Sequence, residues 1–530
     1  MSEPTPDAAA ASNVHTLPSL TSRSAAFIGS FSLLGRLLER GSAFLLIVLL
    51  ASVYGSSSSA DLYFLASIVP LMIGTLVGES ISAGTVPLLV RRREKQELAG
   101  TVGAGLWLTL GLAVALTALY LAIAIPLVQT VSGGRFDPLG PWLAFAPIGI
   151  LLSLAGYLSG VLLRLERYVW PPFRLAVASM AGLALSLAVI TVTHEVTWVA
   201  AAVAAGHAFA VALLVLEVVQ VMGGRWLRPP SRAHVRDVLH VRSRVGASVA
   251  SGLLGGQVLV LVERALAATL GVGAVSTLSY ARGVAFTPNV LGHSIAAGLY
   301  PGMVRAHEAS RDAAVRERFT RGLRLTLFVA VPTAVFFVAF GANVIAFLLR
   351  RGAFGAEATE TAGTLLAAFS LALAANMVMI FASRVFQSVD YFRATVIAQG
   401  VVVAVYLLVA LPLREVLGLT GLAVTFGVAE AVGAVVAVTI ATRRLAIGRG
   451  ELIRSVIVPG LARGAVVALV LVVYRLALAL VEVPVDLLGL AYVGGTLLLF
   501  ALATTLMIAT SPWPESRRFR AAARAFAHPE

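Results

Sequence analysis

Ser80-Ile81-Ser82-Ala83-Gly84-Thr85-Val86-Pro87 closes one long apolar run, and Ser294-Ile295-Ala296-Ala297-Gly298-Leu299-Tyr300-Pro301 closes another much later in the chain. Five of the eight positions are identical, and a basic segment follows each copy. Apolar windows counted from one copy to the other place them six helices apart. That number is even, so both copies run out of a membrane on the same side. The chain therefore reads as two six-helix lobes in parallel repeat, with any cargo path expected between them.

Composition requires the membrane. Of 530 residues 59% are hydrophobic and 12% charged, and the mean hydropathy is +0.92, whereas soluble domains carry about a quarter charged residues. Windows long enough to cross a bilayer fall at about 25–54, 60–88, 101–131, 141–163, 169–192, 196–220, 246–270, 273–303, 323–349, 361–387, 391–413, 416–440, 457–481 and 486–511. They are apolar all round rather than alternating, so the fold class is an all-α polytopic membrane protein of about fourteen helices. The expected divisions are a polar tail over 1–22, a first lobe over 23–222, a basic loop over 223–245 and a second lobe over 246–442. Two further helices follow over 457–511, then a basic tail over 512–530.

Arginine placement orients these helices. Every second connection is basic: Arg91 to Arg93 with Lys95, then Arg164 and Arg167, Arg225 to Arg244, Arg305 to Arg321, Arg393, Arg443 to Arg454, and Arg517 to Arg524. The intervening connections hold only Arg135, Arg350, Arg351 and Arg414. Basic loops stay on the cytoplasmic side, so both termini are expected there, in a multi-pass plasma-membrane protein. The formal charge of +14 is accordingly assigned to anionic membrane lipid and not to nucleic acid.

Ionisable groups at membrane depth cost about 2.5 kcal/mol or more each unless paired or hydrated, so they mark candidate sites. Arg36, Glu39 and Arg40 lie in the first helix, Asp61 and Glu79 in the second, Glu263 and Arg264 in the seventh, Arg282 and His293 in the eighth, Arg384 in the tenth and Glu430 in the twelfth. A hydrated cavity follows, with Arg36, Arg40, Arg264 and Arg282 binding an anionic cargo and Glu39, Asp61, Glu79 and Glu263 serving ion coupling or structure. Arg36, Arg40, Arg384 and Glu79 also lie within snorkelling reach of the cytoplasmic surface. Asp61, following the serines from Ser56, equally reads as a helix cap. Pro70 and Pro288 are candidate hinges, and Gly84 and Gly298 are candidate contacts of a cytoplasmic gate.

The sequence has no cysteine, no phosphate-binding glycine loop, no HExxH and no metal-ligand cluster. No catalytic residue, metal or cofactor is expected, and the chain is not read as an enzyme.

Four stretches then carry a resemblance. They are Tyr54-Gly55 through Ala60-Asp61-Leu62-Tyr63-Phe64 with Pro70 and Glu79; Gly273 to Pro288 with Ser279-Tyr280-Ala281; Arg351-Gly352-Ala353-Phe354; and Phe386 to Arg393. In order and spacing the chain resembles the MurJ/MviN family of lipid II flippases, in the MOP exporter superfamily. The resemblance implies alternating access, with an undecaprenyl-pyrophosphate-linked saccharide carried to the outer leaflet. It also implies a lipid-tail groove formed by 457–511 and a role in cell-wall synthesis. A monomer is expected, coupled to membrane potential, Na+ or H+ and working beside cell-envelope biosynthesis proteins. The family's basic pair after the proline of helix two is Gly74-Thr75 here, its Asp-Arg pair after Tyr-Ala is Arg282-Gly283, and the second arginine of its first helix falls near Leu46. A cation-coupled small-molecule exporter of the same superfamily and a non-transporting scaffold are the competing readings. Arginines beside the carboxylates favour the flippase over the first, and paired charges without a purpose count against the second.

Overall fold

The computed structural model describes residues 22–91, 95–131, 139–165, 167, 170–480 and 494–495. The first lobe is built from α1 (Ser22–Tyr54), α2 (Ser58–Arg91), α3 (Lys95–Val131), α4 (Leu139–Arg164), α5 (Trp170–Ile190) and α6 (Val196–Met222). The second contains α7 (Arg232–Ala268), α8 (Ala274–Ala285), α9 (Asn289–Glu308), α10 (Asp312–Leu349), α11 (Ala356–Ser388) and α12 (Phe392–Arg444). The short α13 (Arg449–Leu452) leads through a π-helical turn into α14 (Val458–Ala479). No strand occurs among the described residues, as expected where a backbone must satisfy its own hydrogen bonds in lipid.

Ten helical segments among the described residues are long and apolar enough to cross a membrane. Two of the differences from the fourteen windows lie in the backbone. α12 contains two windows, joined at Gly418, whose φ of 57° and ψ of −132° leave the helix and turn the chain back. The eighth window is cut in two: Phe286 caps α8, and Pro288 starts α9. α7 takes in the seventh window together with the basic segment before it. Of the window over 486–511 only residues 494–495 are described, and residues 1–21 and 512–530 lie outside the described residues.

α2 passes through Pro70 without a break. A proline removes the N–H that would bond the carbonyl four residues back, here that of Ala66. The Tyr120 hydroxyl of α3 donates to this carbonyl at 3.0 Å, so the neighbouring helix replaces the missing donor.

Small residues set the closest packing. A Cβ at Gly74 would collide with Leu152 of α4, and one at Gly156 would meet the Gly78 backbone. Gly74-x-x-x-Gly78 is thus the face by which α2 lies along α4, a close approach available only to small residues. The position where the resembled family has a basic residue is here inside a helix–helix contact. In the same way α14 lies on α10, with Gly460 against Leu327 and Gly464 against Val331, and Leu461, Leu469, Val473 and Leu476 remain exposed.

Candidate functional site

The lobes are hydrogen-bonded to each other at the end of the molecule where α1 turns into α2. Asp61 is buried there, and its carboxylate accepts two backbone N–H groups from the other lobe: Gly273 to Oδ2 at 2.6 Å and Ser276 to Oδ1 at 2.7 Å. These are the orphan donors at the start of α8, so Asp61 caps a helix 212 residues away in sequence. Its own helix is started by Ser57, whose hydroxyl accepts from Ala60 N–H. The cap anticipated from the sequence is present, on a different helix.

Three further bonds complete this latch. The Ser56 and Thr277 hydroxyls meet at 2.7 Å, the Tyr280 hydroxyl donates to the Gly55 carbonyl at 3.1 Å, and Ala353 N–H donates to the Ser52 carbonyl at 2.8 Å. Gly55 and Gly352 both have φ near +55°, and a Cβ at Gly352 would run into the Ser52 carbonyl. The Arg351-Gly352-Ala353-Phe354 stretch, legible only as a signature in the sequence, is therefore the piece of the second lobe that seats on α1.

Toward the other end, where the basic loops gather, the lobes separate around a cavity of about 340 Å³. Arg36, Glu39 and Arg40 of α1 line one wall, and Phe286, Asn289, Val290, His293, Ser294 and Ala297 with Arg384 of α11 line the other. Basic side chains thus enter from both lobes. The Arg384 guanidinium is steadied by a 2.8 Å bond to the Gln387 amide oxygen.

Arg264 and Arg282 are placed elsewhere. Arg264 reaches across the lobe boundary and donates to the Phe64 carbonyl of α2 at 2.9 Å, with its guanidinium 5.6 Å from the Phe64 ring centre. Arg282 is paired with the fully buried Glu263 at 2.7 Å. Its guanidinium lies 4.2 Å from the Phe426 ring centre and 4.9 Å from that of Phe286. Such stacking is favourable for a desolvated arginine. Nearby, Asn289 donates to Asn376 at 2.9 Å, and Asn376 donates to the buried Glu430 at 3.1 Å. Asn289 also lines the cavity, so a polar chain leads from its wall into the second lobe. One oxygen of Glu263 and one of Glu430 have no protein partner.

Pro288 marks the break before α9 and so sets Asn289 and His293 on the cavity. Gly298 is exposed, with nothing within 4 Å of a Cβ built on it. Glu79 and Gly84 lie on α2, and their surroundings fall outside the described residues. Asn289 and Asn376 carry no charge and so do not stand out in the sequence; an amide in an apolar helix is the signal that marks them. No group of three or more metal-ligating side chains occurs among the described residues.

Comparison with known proteins agrees with this architecture. Residues 50–489 match the family model described as lipid II flippase MurJ. The chain is 27% identical over 404 residues to the lipid II flippase MurJ of Burkholderia cenocepacia, covering 72% of this chain and 76% of that protein. It is 27% identical over 288 residues to a probable lipid II flippase MurJ of Rhizobium meliloti, a match spanning 51% of each. A solved structure of lipid II flippase MurJ in an inward closed conformation superposes with a TM-score of 0.74 at 15% identity, over 91% of this chain and 98% of that one. An inward-facing multidrug resistance MATE transporter of the MOP superfamily gives 0.58 at 16% identity, over 76% and 98%. With a family model matching most of its length and the same two-lobed fold, the chain belongs to the MurJ family of lipid II flippases.

Proposed function

We propose that this chain is an alternating-access flippase carrying an undecaprenyl-pyrophosphate-linked saccharide, lipid II or a related cell-envelope precursor, from the cytoplasmic to the outer leaflet. The observation that carries the reading is the cavity wall of Arg36, Arg40, His293 and Arg384, drawn from both lobes and sealed at one end by the Asp61 latch. A pyrophosphate carries at least two negative charges and enters a low-dielectric site only against such partners. Because the arginines belong to different lobes, a bound pyrophosphate would draw the lobes together at the cavity end. Release of the latch at the other end would then expose the cargo.

In this reading the basic end is cytoplasmic, by the positive-inside rule, and both termini lie there in the inner membrane. The exposed apolar face of α14 is the proposed track for the polyprenyl tail. The chain works as a monomer and performs no covalent step. Coupling to membrane potential, Na+ or H+ is assigned to the second lobe, where Glu263 and Glu430 each keep an oxygen free of protein partners.

The test is a flipping assay in proteoliposomes with a fluorescent lipid-linked disaccharide. The Arg36→Ala/Arg40→Ala/Arg384→Ala variant is expected to lose at least tenfold in initial rate with an unchanged thermal midpoint. An unimpaired rate in that variant would overturn the assignment. A wild-type protein inert toward the lipid but exporting a small organic cation would favour the exporter reading.

A further inference from the structure

Four helix ends of the second lobe meet at its basic face, away from the central cavity. They enclose a second cavity of about 220 Å³, lined by His307, Asp312, Val315, Arg316, Val389, Arg444, Leu445 and Ala446. His307 ends α9, Arg316 lies in the first turns of α10, Val389 follows α11 and Arg444 ends α12. No single helix makes this site; it exists because four chain segments are held in register.

What holds them is unusual. Ser310, Asp390 and Ala446, with φ of 52°, 51° and 50°, are the non-glycine residues of positive φ among the described residues, and each turns the chain beside this cavity. Each turn is locked by a bond from the residue after it to a carbonyl five positions back: Arg311 to Ala306 at 2.8 Å, Tyr391 to Phe386 at 2.9 Å and Ile447 to Thr442 at 2.9 Å. A non-glycine residue there costs of order 1 kcal/mol or more, and such strain persists only where the surroundings fix it. The three strained turns border one cavity and not three separate loops.

Its chemistry is that of an anion site. Among the described residues no carboxylate forms an ion pair with Arg316 or Arg444. His307 adds a ring nitrogen, and the start of α10 adds the positive end of a helix dipole. Asp312 sits in that first turn, where the helix dipole favours a negative charge. Val315, Val389 and Leu445 are buried and form the floor. The volume lies below the roughly 300–1,000 Å³ of sites for drug-sized molecules, and so suits one phosphate group better than a nucleotide.

We propose that His307, Arg316 and Arg444 form a phosphate-binding site at the basic face of the second lobe, separate from the transport cavity, for a phosphate mono- or diester. Two sources share that chemistry: the head group of an anionic phospholipid in the adjacent leaflet, and a soluble phosphate ester. A ligand bridging α9, α10 and α12 would stiffen the second lobe as a unit.

The experiment uses the full-length protein in detergent and native mass spectrometry, with dioleoyl phosphatidylglycerol as probe and dioleoyl phosphatidylcholine as reference. The Arg316→Ala/Arg444→Ala variant is expected to bind phosphatidylglycerol at least fivefold more weakly, with its thermal midpoint unchanged. The Arg311→Ala/Arg449→Ala variant removes equal charge from the same face outside the cavity lining and should bind as wild type. Equal weakening in both variants, or in neither, would overturn the proposal. Should the first variant misfold, Arg316→Gln and Arg444→Gln taken singly must each weaken binding by at least twofold, or the proposal fails. Competition by glycerol 3-phosphate at millimolar concentration would identify a soluble ester as an occupant, whereas its failure to compete beside tight phosphatidylglycerol binding would identify the lipid.

Discussion

α2 and the α8–α9 pair are the two copies of one repeat, closing on the same small-residue octapeptide, yet α2 runs unbroken through Pro70 while its counterpart is cut at Pro288. The proline does not decide this. In α2 the freed Ala66 carbonyl takes the Tyr120 hydroxyl from α3, and the helix continues. At Pro288 the freed Val284 carbonyl is taken locally by Thr287 N–H at 3.2 Å, and the Thr287 hydroxyl turns to Gly283 at 2.8 Å. A local donor closes a turn, and a donor from a neighbouring helix preserves a rod. The consequence is functional: the rod presents Asp61 to the latch, and the broken copy delivers Arg282, Asn289 and His293 to the interior and cavity of the second lobe.

The largest effect that would sharpen this contrast is on the buried pair. Arg282→Ala leaves Glu263 fully buried without its partner, a loss expected to cost about 3–5 kcal/mol. The variant should therefore fail in stability before it fails in transport. Replacing both residues, as Glu263→Leu/Arg282→Met, should recover most of the thermal midpoint. If Arg282→Ala keeps a wild-type midpoint and loses only cargo binding, Arg282 belongs to the cargo site after all.

Next comes the rod's own contribution. Asp61→Ala strands the Gly273 and Ser276 N–H groups, and unsatisfied buried donors cost about 1–3 kcal/mol. The closed latch should lose at least tenfold in population. Labels at the exposed Ser58 and Val272, read by pulsed electron spin resonance, should show a second, longer distance. A single unchanged distance would mean that Ser56, Tyr280 and Ala353 hold the latch without Asp61.

How far these features were legible follows the range of the physics behind them. Lobes, repeat and sidedness rest on hydropathy and charge along the chain, and these survive in one dimension. The cavity arginines of α1 were legible too, because Arg36 and Arg40 lie four apart and share a helix face. Arg264 was not, because whether it enters the cavity or crosses to the Phe64 carbonyl depends on the packing of α7 against α2. Asp61 read as a cap, but nothing in the sequence could say that the capped helix begins at Gly273. The two prolines looked alike because Tyr120, which separates them, is fifty residues from Pro70.

That tyrosine gives a smaller and cleaner test. Tyr120→Phe removes one hydrogen bond to a buried carbonyl and should cost about 1–2 kcal/mol. The Pro70→Ala change restores the intrahelical donor, so the double variant should recover nearly all of that loss. A thermodynamic cycle with no coupling between Tyr120 and Pro70 would show that α2 stays straight for another reason, such as its packing along α4.

The smallest expected effect on the folded state is at Gly298, and its size makes it useful. Nothing lies within 4 Å of a Cβ built there, so Gly298→Leu should change stability by no more than about 0.5 kcal/mol, the range of surface substitutions. In the conformation with the latch closed the leucine has room. In a conformation with the cavity end shut, the small-residue ends of α2 and α9 would approach, and a leucine would stand between them. A variant of normal stability that binds cargo, fails to release it and keeps the long separation between labels on the cavity ends of α2 and α9 is the expected outcome. Normal transport with a normal distance distribution would place the closing contact elsewhere on α9 and leave the shared octapeptide as a packing motif within each lobe.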